Sequence, residues 1–490
     1  MISWMRELAK HHNRMRRKYP EDRLLIVIDI DGSIIDTRFT IVHLLREFDR
    51  LHRTAYFTAL KPAALKAPER ELERILGELE VPKNRQRKVL DWFHNNHWTS
   101  PAMKGRQCPT RGALEVIRWF QLQPNTAVGL NTARPESLRH DTLESLNELG
   151  REFRARFESP LLQMNPGDGN RGAGEAKVAG VKRYLNDGYR VIAVIDSDPE
   201  NLRAIAESVS QQDILLLHAK MLSQARRTVV PRGLVSGRSF DLTELISEEA
   251  LPPAIQLVWH GINTEENLRG FLRSDIHWAE IDVREDPGSR ELVLRHDDFA
   301  EAKRRRGEGL YRFEDGLRRL RKHKRCVKID FKEGGAVIGS VLDLVAKCGF
   351  EPGELWFNGN IERVQEAGFR QIGSAFPSSI RQCPVDFLSP LFGSKPAKAK
   401  EIIEELKDWG INRVSVGWHT GCRRQMLEHL DQWNIEVNIY DVPDLEAFLQ
   451  AVLLMPRSIT SDFNFPEWDY HGTGSGENRR SRARRIRTYA

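Results

Sequence analysis

The residues with the clearest chemical potential in this sequence are two aspartates that directly follow a short apolar run. The run Leu24–Ile28 is rich in branched side chains, which is typical of a buried parallel strand. Asp29 and Asp31 come next on alternate positions, followed by Gly32. Two carboxylates this close need a cation or a shared proton between them, and Mg²⁺ prefers oxygen ligands. Taken alone, the pair also fits a strand end with two solvated acids.

Two further apolar runs in the first half end in polar residues. Thr132 ends the second run, and Asp196 ends the third, with Asp198 two residues later. Lys177 lies between them, at the start of a predicted helix. Strands that alternate with helices predict a doubly wound parallel sheet, whose carboxyl ends meet at one edge. We therefore expect these side chains to converge with the two aspartates.

Together these side chains could carry out phosphoryl transfer. Asp29 could attack phosphorus and form an aspartyl phosphate. Asp31 could protonate the leaving oxygen and later deprotonate water. Thr132 could donate a hydrogen bond to the phosphoryl oxygens, and Lys177 could offset their charge. Asp196 could help to hold Mg²⁺, which screens an anionic site against an anionic substrate.

The residues that carry a family resemblance are, in chain order, Asp29-x-Asp31-Gly32-Ser33, Thr132, Lys177 and Asp196. From about residue 23 to residue 241 the sequence resembles the haloacid dehalogenase-like (HAD) phosphatases. The resemblance implies that Asp29 is the nucleophile and Asp31 the acid/base, and that the mostly helical residues 37–107 form a cap. The family often has two adjacent acids in its last motif, whereas here Asp196 is followed by Ser197 and Asp198. We expect Mg²⁺ to be held by Asp29, Asp31, Asp196 and Asp198, with Arg134 in support.

A second α/β pattern begins at about residue 254, after a Pro-Pro pair. About eight strand–helix units follow, which predicts a TIM-type (β/α)8 barrel. The predicted strands are 255–260, 278–283, 292–297, 326–332, 354–358, 369–372, 386–388, 413–416, 436–440 and 458–462. We therefore predict an α/β protein in which a doubly wound, HAD-like sheet with a helical cap is followed by a barrel.

Polar residues also occupy the predicted barrel strands and their ends. In chain order they are His260, Asn263, Glu280, Asp282, His296, Lys328, Asp330 and Lys332. The three acids make an oxygen-rich site for Mg²⁺ or Ca²⁺. The two histidines could act as base and acid across a phosphodiester, with Lys332 as a counter-charge to the phosphate. Each feature alone also fits a buried imidazole or a solvated strand face.

The order of these residues resembles the phospholipase-C-like phosphodiesterase superfamily over about residues 253–468. That superfamily contains the glycerophosphodiester phosphodiesterases and the sphingomyelinase-D-like enzymes. The segments that point to its menorin-like branch are Trp259-His260-Gly261-Ile262-Asn263, Ala279-Glu280-Ile281-Asp282-Val283, Lys328-Ile329-Asp330-Phe331-Lys332, Val416-Gly417-Trp418 and the ten residues 459–468. The resemblance implies catalytic histidines and a Glu/Asp/Asp metal site. Glycerophosphodiesterases usually have Arg where Gly261 stands, which favours the menorin-like or sphingomyelinase-D-like pattern, with Asn263 and Lys328 in support.

Composition limits the class of protein. The 490 residues are 40% hydrophobic and 29% charged, which is typical of a globular chain with several domains. We predict a basic segment at 1–20, a phosphatase domain at 21–250 with its cap at about 37–107, a barrel at 253–470 and a flexible basic tail at 471–490. The sequence has no apolar run long enough to span a bilayer and no signal peptide. Five scattered cysteines argue against disulfides or a zinc site and favour the cytoplasm.

The sequence therefore predicts a bifunctional, metal-dependent phosphoesterase. The barrel would cleave a phosphodiester, directly or through a cyclic phosphate, and the first domain would hydrolyse a phosphomonoester. One alternative is nucleic-acid end processing, because the net charge is +6 and the run Arg479–Arg487 could bind nucleic acid or another anionic surface. That run also fits a solvated tail. A non-catalytic binding protein with a degenerate barrel is the third interpretation.

Overall fold

The computed structural model describes residues 3–67, 71–99, 107–166, 172–209, 213–221, 233–302, 309–463, 465 and 468. The chain divides into two compact units, Met1–Ile246 and Ser247–Ala490. The basic run Arg479–Arg487 lies outside the described residues. Within the described part of the chain, no helix has both the length and the apolar character needed to cross a membrane.

The first unit is built on a parallel sheet of six strands among its described residues. The strands are β1 Leu24–Ile28, β2 Thr126–Pro135, β3 Leu162–Asn165, β4 Arg190–Asp196, β5 Leu215–Ala219 and β6 Val235–Gly237. They lie in the order β3-β2-β1-β4-β5-β6. The order reverses between β1 and β4, and open α/β sheets place ligands at such a point.

Helices precede, connect and follow these strands. They are Trp4–Lys18, Thr37–His52, Leu72–Glu78, Lys83–His97, Ala113–Gln121, Arg139–Gly150, Ala173–Asn186, Pro199–Ser208 and Leu242–Leu245. All five residues of β1 are buried. Leu25 and Val27 pack with Tyr184 and Val181 of the helix Ala173–Asn186 in one core cluster. The predicted doubly wound α/β fold is confirmed.

The N-terminal basic segment forms a helix of this unit. Its apolar residues recur at helical spacing, and Trp4, Met5 and Leu8 are buried while the basic side chains alternate with them. The indole Nε1 of Trp4 donates to the main-chain oxygen of Ser239 at 2.6 Å. The indole ring also lies 4.9 Å from the ring of Phe240, measured between centroids. The helix Trp4–Lys18 therefore packs against the first unit through its apolar face.

A helical insertion separates β1 from β2. It contains the helices Thr37–His52, Leu72–Glu78 and Lys83–His97. Its two ends meet, because Asp36 N donates to Cys108 O at 2.9 Å and Thr110 N donates to Ile34 O at 2.8 Å. Since β1 ends at Ile28, the insertion starts and returns close to the end of β1 that carries the two aspartates.

The second unit is a closed barrel of eight parallel strands in the described part of the chain. They are β7 Gln256–Trp259, β8 Trp278–Glu285, β11 Cys326–Phe331, β12 Leu355–Gly359, β13 Ile380–Pro384, β14 Arg413–Gly417, β15 Glu436–Tyr440 and β16 Ser458–Ser461. The ring closes because β7 pairs with both β16 and β8. Two short strands lie outside the ring, β9 Leu292–Leu294 and β10 Tyr311–Arg312. β9 pairs antiparallel with the end of β8, and β10 pairs antiparallel with β9.

Helices surround the barrel. They are Glu265–Phe271, Phe313–Lys322, Ala336–Cys348, Ile361–Ala375, Ser389–Ser394, Pro396–Asp408, Arg423–Gln432 and Leu445–Leu453. The predicted barrel is confirmed, but two predicted strands are wrong. Residues 369–372 lie inside the helix Ile361–Ala375, and residues 386–388 form a single 3-10 turn. The strand β13 lies between these two segments. It was not predicted, because Arg381 and Gln382 interrupt the apolar pattern that identifies a strand. Residues 292–294 form a strand, but outside the ring.

The barrel interior contains charged as well as apolar side chains. Lys328 stands between Glu280 and Trp356 in the strand register, and its Nζ lies 4.9 Å from the centroid of the Trp356 ring. The guanidinium of Arg413 lies 4.4 Å from the same ring and donates to Glu436 Oε2 at 3.0 Å through Nε. Each buried cation thus has a carboxylate partner and an aromatic face, which offsets the cost of burial.

Candidate functional site

The first cluster of reactive residues lies where β1 and β4 end. Lys177 Nζ is 2.5 Å from Asp29 Oδ1 and 2.9 Å from Asp196 Oδ2. All three side chains are buried, with residue exposures of 6% for Asp29, 2% for Lys177 and 1% for Asp196. Burial raises the pKa of Asp29, and the charge of Lys177 opposes that rise. The ammonium group therefore joins the two carboxylates that the sequence predicted at these strand ends.

Lys177 is held in place by β2. It lies in the second turn of the helix Ala173–Asn186, and its Nζ donates to Asn131 O at 2.5 Å. Asn131 Nδ2 donates in return to Lys177 O at 2.7 Å. Gly180 permits this approach, because a Cβ at that position would lie 2.4 Å from Asn131 Oδ1. Asn131 was not predicted as a functional residue, although it directly precedes Thr132 in the strand.

Asp31 faces a different cation. Arg134 Nε is 2.8 Å from Asp31 Oδ2, and Nη2 is 2.7 Å from Oδ1, which makes a bidentate pair. Arg134 is fully buried and its Nη1 also donates to Thr142 at 3.3 Å. Burial works to raise the pKa of Asp31, but Arg134 outweighs it and lowers that pKa. His97 ends the last helix of the insertion, and burial lowers its pKa to about 4. The charges of Asp31 and Arg134 act on that pKa in opposite directions.

The turn after β4 completes the first site. Ser197 Oγ donates to Asp29 Oδ2 at 3.1 Å and to the main-chain oxygen of Asp31 at 3.0 Å. Asp198 Oδ1 accepts from Glu200 N at 3.0 Å and caps the helix Pro199–Ser208. The buried Thr132 accepts from Arg134 N at 3.2 Å through Oγ1.

The donor types of this first site suit Mg²⁺, since they are carboxylate and main-chain oxygens. Each oxygen of Asp29 and Asp196 already has a partner, however. Lys177 contacts one oxygen of each, Ser197 contacts the other oxygen of Asp29, and Asp198 N donates to the other oxygen of Asp196 at 2.8 Å. A cation held by both acids would therefore share its ligands with these donors.

A Lys177→Met substitution is expected to destabilise the first unit by about 3–5 kcal/mol, because removing one partner leaves buried charge uncompensated. The free energy of unfolding in urea at neutral pH measures this loss. Lys182→Met is the matched control, since Lys182 lies exposed on the same helix. A loss no larger than that of the control would show that Asp29 and Asp196 do not depend on this ammonium group.

The second cluster lies in the barrel. One carboxylate oxygen from each of Glu280, Asp282 and Asp330 lies within 4.8 Å of the others, and all three residues are buried. The strand register produces this cluster, because Asp282 of β8 stands directly opposite Asp330 of β11. Within the described residues, this is the one group of three or more metal-ligating side chains. Three oxygen donors without sulfur or imidazole fit Mg²⁺ or Ca²⁺.

Two lysines contact these acids. Lys332 Nζ is 2.6 Å from Asp330 Oδ2 and 3.0 Å from Asp282 Oδ1. Lys328 Nζ is 3.2 Å from Glu280 Oε2. Burial raises the pKa of Asp330, and Lys332 opposes that rise. The predicted phosphate counter-charge therefore lies directly beside two of the predicted metal ligands.

Amide side chains orient the same acids. Asn263 donates to Asp282 Oδ2 through Nδ2 and accepts from Asp282 N at 2.9 Å through Oδ1. Asn358 Nδ2 donates to Asp330 Oδ1 at 2.8 Å, and Gln382 Nε2 donates to Asn358 Oδ1 at 2.8 Å. Asn263 was predicted as a supporting residue. Asn358 and Gln382 were not predicted, because their roles depend on the pairing of β11, β12 and β13.

His260 forms a pair with Asp462, which follows the strand that pairs with β7 to close the ring. His260 follows β7 and Asp462 follows β16, and their Nδ1 and Oδ1 atoms are 2.7 Å apart. Burial lowers the pKa of His260, but Asp462, Glu280 and Asp282 outweigh that effect and raise it to about 9. Asp462 was not predicted as a site residue, although it lies in a segment that carried the resemblance.

His296 is placed less firmly. Its side chain is 60% exposed, and its Nδ1 lies 3.0 Å from Asp297 Oδ1. The preceding residue is tied to the acidic cluster, since Arg295 N donates to Asp282 O at 3.0 Å. His296 thus lies beside the carboxyl-terminal part of β8, and its imidazole contacts Asp297.

Without metal, the His260–Asp462 pair is expected to make stability depend on pH. Because the folded-state pKa of His260 is raised from 6.5 to about 9, its contribution is complete below about pH 6.5 and is lost as the pH rises through about 9. Melting temperatures in EDTA at about pH 6 and about pH 10 measure the effect. The advantage of the wild type over His260→Gln should shrink at the higher pH, and a constant difference would contradict this assignment.

No protein-family model matches the chain, and no curated protein matches it. Parts of its fold are similar to several solved structures. An Oleispira antarctica phosphodiesterase in complex with the product sn-glycerol-3-phosphate has 14% identity and a TM-score of 0.34, covering 44% of this chain and 94% of that one. A glycerophosphodiester phosphodiesterase from Agrobacterium tumefaciens has 16% identity and a TM-score of 0.32, covering 42% and 96%.

A family IA HAD hydrolase from Entamoeba histolytica has 12% identity and a TM-score of 0.29, covering 46% of this chain and 96% of that one. At these identities and TM-scores the likenesses do not bear on activity. The chemistry of this chain depends on the side chains described above.

Proposed function

We propose that this protein is a two-site phosphoesterase, with a metal-dependent phosphodiesterase in the barrel and a phosphomonoesterase in the first unit. The observation that carries the proposal is the convergence of Glu280, Asp282 and Asp330 in a buried oxygen site, in a barrel that also carries the His260–Asp462 pair. We place the two functional domains at about residues 21–250 and 253–470.

In the barrel, a divalent cation held by the three acids would supply positive charge to polarise the phosphoryl oxygens. His260 is oriented through Nδ1 by Asp462. Its raised pKa in the metal-free protein depends partly on the charges of Glu280 and Asp282, and a cation bound by these acids would offset those charges. The pKa of His260 would then fall, and Nε2 could accept the proton of the attacking hydroxyl. His296 would return a proton to the leaving oxygen as the P–O bond breaks. Lys332 would offset the charge of the phosphate. An internal hydroxyl as the nucleophile gives a cyclic phosphate, and water gives an open monoester.

In the first unit, an oxygen of Asp29 would attack phosphorus as the bond to the leaving oxygen breaks and the protonated form of Asp31 gives its proton to that oxygen, which forms an aspartyl phosphate and leaves Asp31 ionised. Water would then attack phosphorus and lose a proton, which releases phosphate and restores Asp29. Lys177 would favour the ionised form of Asp29 against the effect of burial. The Thr132 hydroxyl accepts from Arg134 N and could donate its hydrogen to a phosphoryl oxygen. Because Arg134 lowers the pKa of Asp31, Asp31 suits proton acceptance from water.

The two reactions fit in sequence. When water is the nucleophile in the barrel, cleavage of a diester yields a monoester, which is the kind of substrate that an aspartyl-phosphate site requires. The overall products would be two alcohols and inorganic phosphate. This order rests on the presence of both sites in one chain.

A substrate screen tests the proposal. The wild-type chain is stripped with EDTA and assayed with p-nitrophenyl phosphate and bis(p-nitrophenyl) phosphate, before and after addition of Mg²⁺, Mn²⁺ or Ca²⁺. We expect that the barrel cleaves the diester only when metal is added. We also expect the site in the first unit to cleave the monoester. Metal binding without turnover of either probe would overturn the proposal and favour a binding protein.

A further inference from the structure

Arg284 continues the row of barrel residues that holds the acidic cluster. Side chains alternate along a strand, so Glu280, Asp282 and Arg284 share one face of β8. Arg284 is 3% exposed although it stands close to the carboxyl end of the strand. A buried guanidinium so close to a proposed metal site needs a reason, because burial of a charge is costly without partners.

The partners of Arg284 lie on two different loops. Its Nε and Nη2 both donate to the main-chain oxygen of His296, at 3.1 and 3.0 Å. Its Nη1 donates to Asp298 Oδ2 at 3.1 Å and to Glu333 Oε1 at 3.4 Å. The first loop follows β9 and carries His296, and the second follows β11 directly after Lys332. One rigid guanidinium fork therefore ties both loops to the strand of the acidic cluster.

We infer that Arg284 is a positioning residue, which fixes His296 and the turn after Lys332 against the metal-site strand. The inference rests on the proposed phosphodiesterase function of the barrel. His296 depends on such an anchor because its imidazole is 60% exposed and its described contact is with the neighbouring Asp297. Arg284 makes two hydrogen bonds to the main-chain oxygen of His296, and these bonds fix the main chain that carries the imidazole.

The contacts argue against a direct role of Arg284 in binding phosphate. Its donors point at His296, Asp298 and Glu333, and the side chain has almost no accessible surface. Its positive charge is compensated by the two carboxylates rather than left available to an anion. A phosphate-binding arginine would lower KM, whereas a positioning arginine acts on kcat.

The test uses the full-length chain with Mg²⁺ and bis(p-nitrophenyl) phosphate. Arg284→Gln is expected to lower kcat about 10²-fold, the size of loss that a small misplacement of a reacting group produces, with KM unchanged. Amide hydrogen exchange of residues 295–302 should accelerate, while hydrolysis of p-nitrophenyl phosphate stays at the wild-type rate. Arg284→Lys should give intermediate exchange and intermediate kcat, and it replaces the glutamine variant if that variant does not fold.

A double variant separates positioning from stabilisation. In a His296→Ala background, Arg284→Gln should cause little further loss of kcat, because the group it positions is already absent. Arg290→Gln is the matched control, since Arg290 is exposed and pairs with Glu285 in the same β8–β9 hairpin. An equal loss in both backgrounds, or a rise in KM alone, would overturn the inference.

Failure of the inference and failure of the proposed function give different results. If the wild type does not cleave the diester, the proposed phosphodiesterase is wrong, whatever the variants do. Hydrogen exchange needs no turnover, so it still reports on the anchor. Unchanged exchange of residues 295–302 in Arg284→Gln overturns the inference in either case.

Discussion

An Asp29→Asn variant is expected to lose monoester hydrolysis by about 10⁴-fold or more, because an amide cannot take the place of the attacking carboxylate. The substitution keeps the shape of the side chain and the acceptor for Lys177 Nζ, which lies 2.5 Å from Asp29 Oδ1. The barrel site is built from other residues, so diester cleavage should continue at the wild-type rate.

Phosphorus NMR of a diester reaction measures both effects at once. The wild type should convert the diester through a monoester to inorganic phosphate, whereas Asp29→Asn should stop at the monoester. Asp187→Asn is the matched control, since Asp187 is exposed at the end of the helix that carries Lys177. If Asp29→Asn releases phosphate as fast as the wild type, both the nucleophile and the order of the two reactions are wrongly assigned.

A His260→Ala variant is expected to lose diester cleavage by about 10²- to 10⁴-fold, the usual contribution of a positioned acid or base. Initial rates with bis(p-nitrophenyl) phosphate and saturating Mg²⁺ measure this loss, and hydrolysis of p-nitrophenyl phosphate should not change. Asp462→Asn should cost less than His260→Ala, because it removes the partner of the imidazole and leaves the imidazole in place.

His277→Ala serves as the control for His260→Ala, since His277 is exposed immediately before β8, at the opposite end of the strand from Glu285. Equal rates for His260→Ala and this control would remove His260 from the mechanism. In a His260→Ala background, Asp462→Asn should have no further effect on the rate, and an additional loss would mean that Asp462 acts independently of the imidazole.

The sequence predicted those features that depend on local order along the chain. The apolar runs before Asp29 and Asp196 are long enough to identify parallel strands. Because such strands end at one edge of a sheet, the sequence predicted that the two acids lie close together. In the structure, Lys177 contacts both of them. Alternation along one strand likewise predicted that Glu280 and Asp282 share a face. The α/β class and the barrel followed from the same patterns.

Features that depend on pairing between strands could not be predicted from the sequence. Asn358 reaches Asp330 only because β12 aligns these two residues. The strand β13 was missed because its polar side chains pack inside a charged barrel, where the usual apolar pattern does not apply. Arg134 was predicted only as a supporting residue of the site. Its pair with Asp31 depends on the way β2 extends beyond Thr132 to Pro135.

The pairing of β16 with β7 has a consequence for the order in which the protein can become active. His260 stands at the start of the barrel sequence and Asp462 at its end, so about 200 residues must be synthesised between them. Until then β7 and β15 present open edges, which are sites of aggregation. A nascent or truncated chain that stops before Ser458 would carry all three acids and both histidines, yet its ring would be open and its base unoriented. Ring closure is therefore the step that would orient the proposed base.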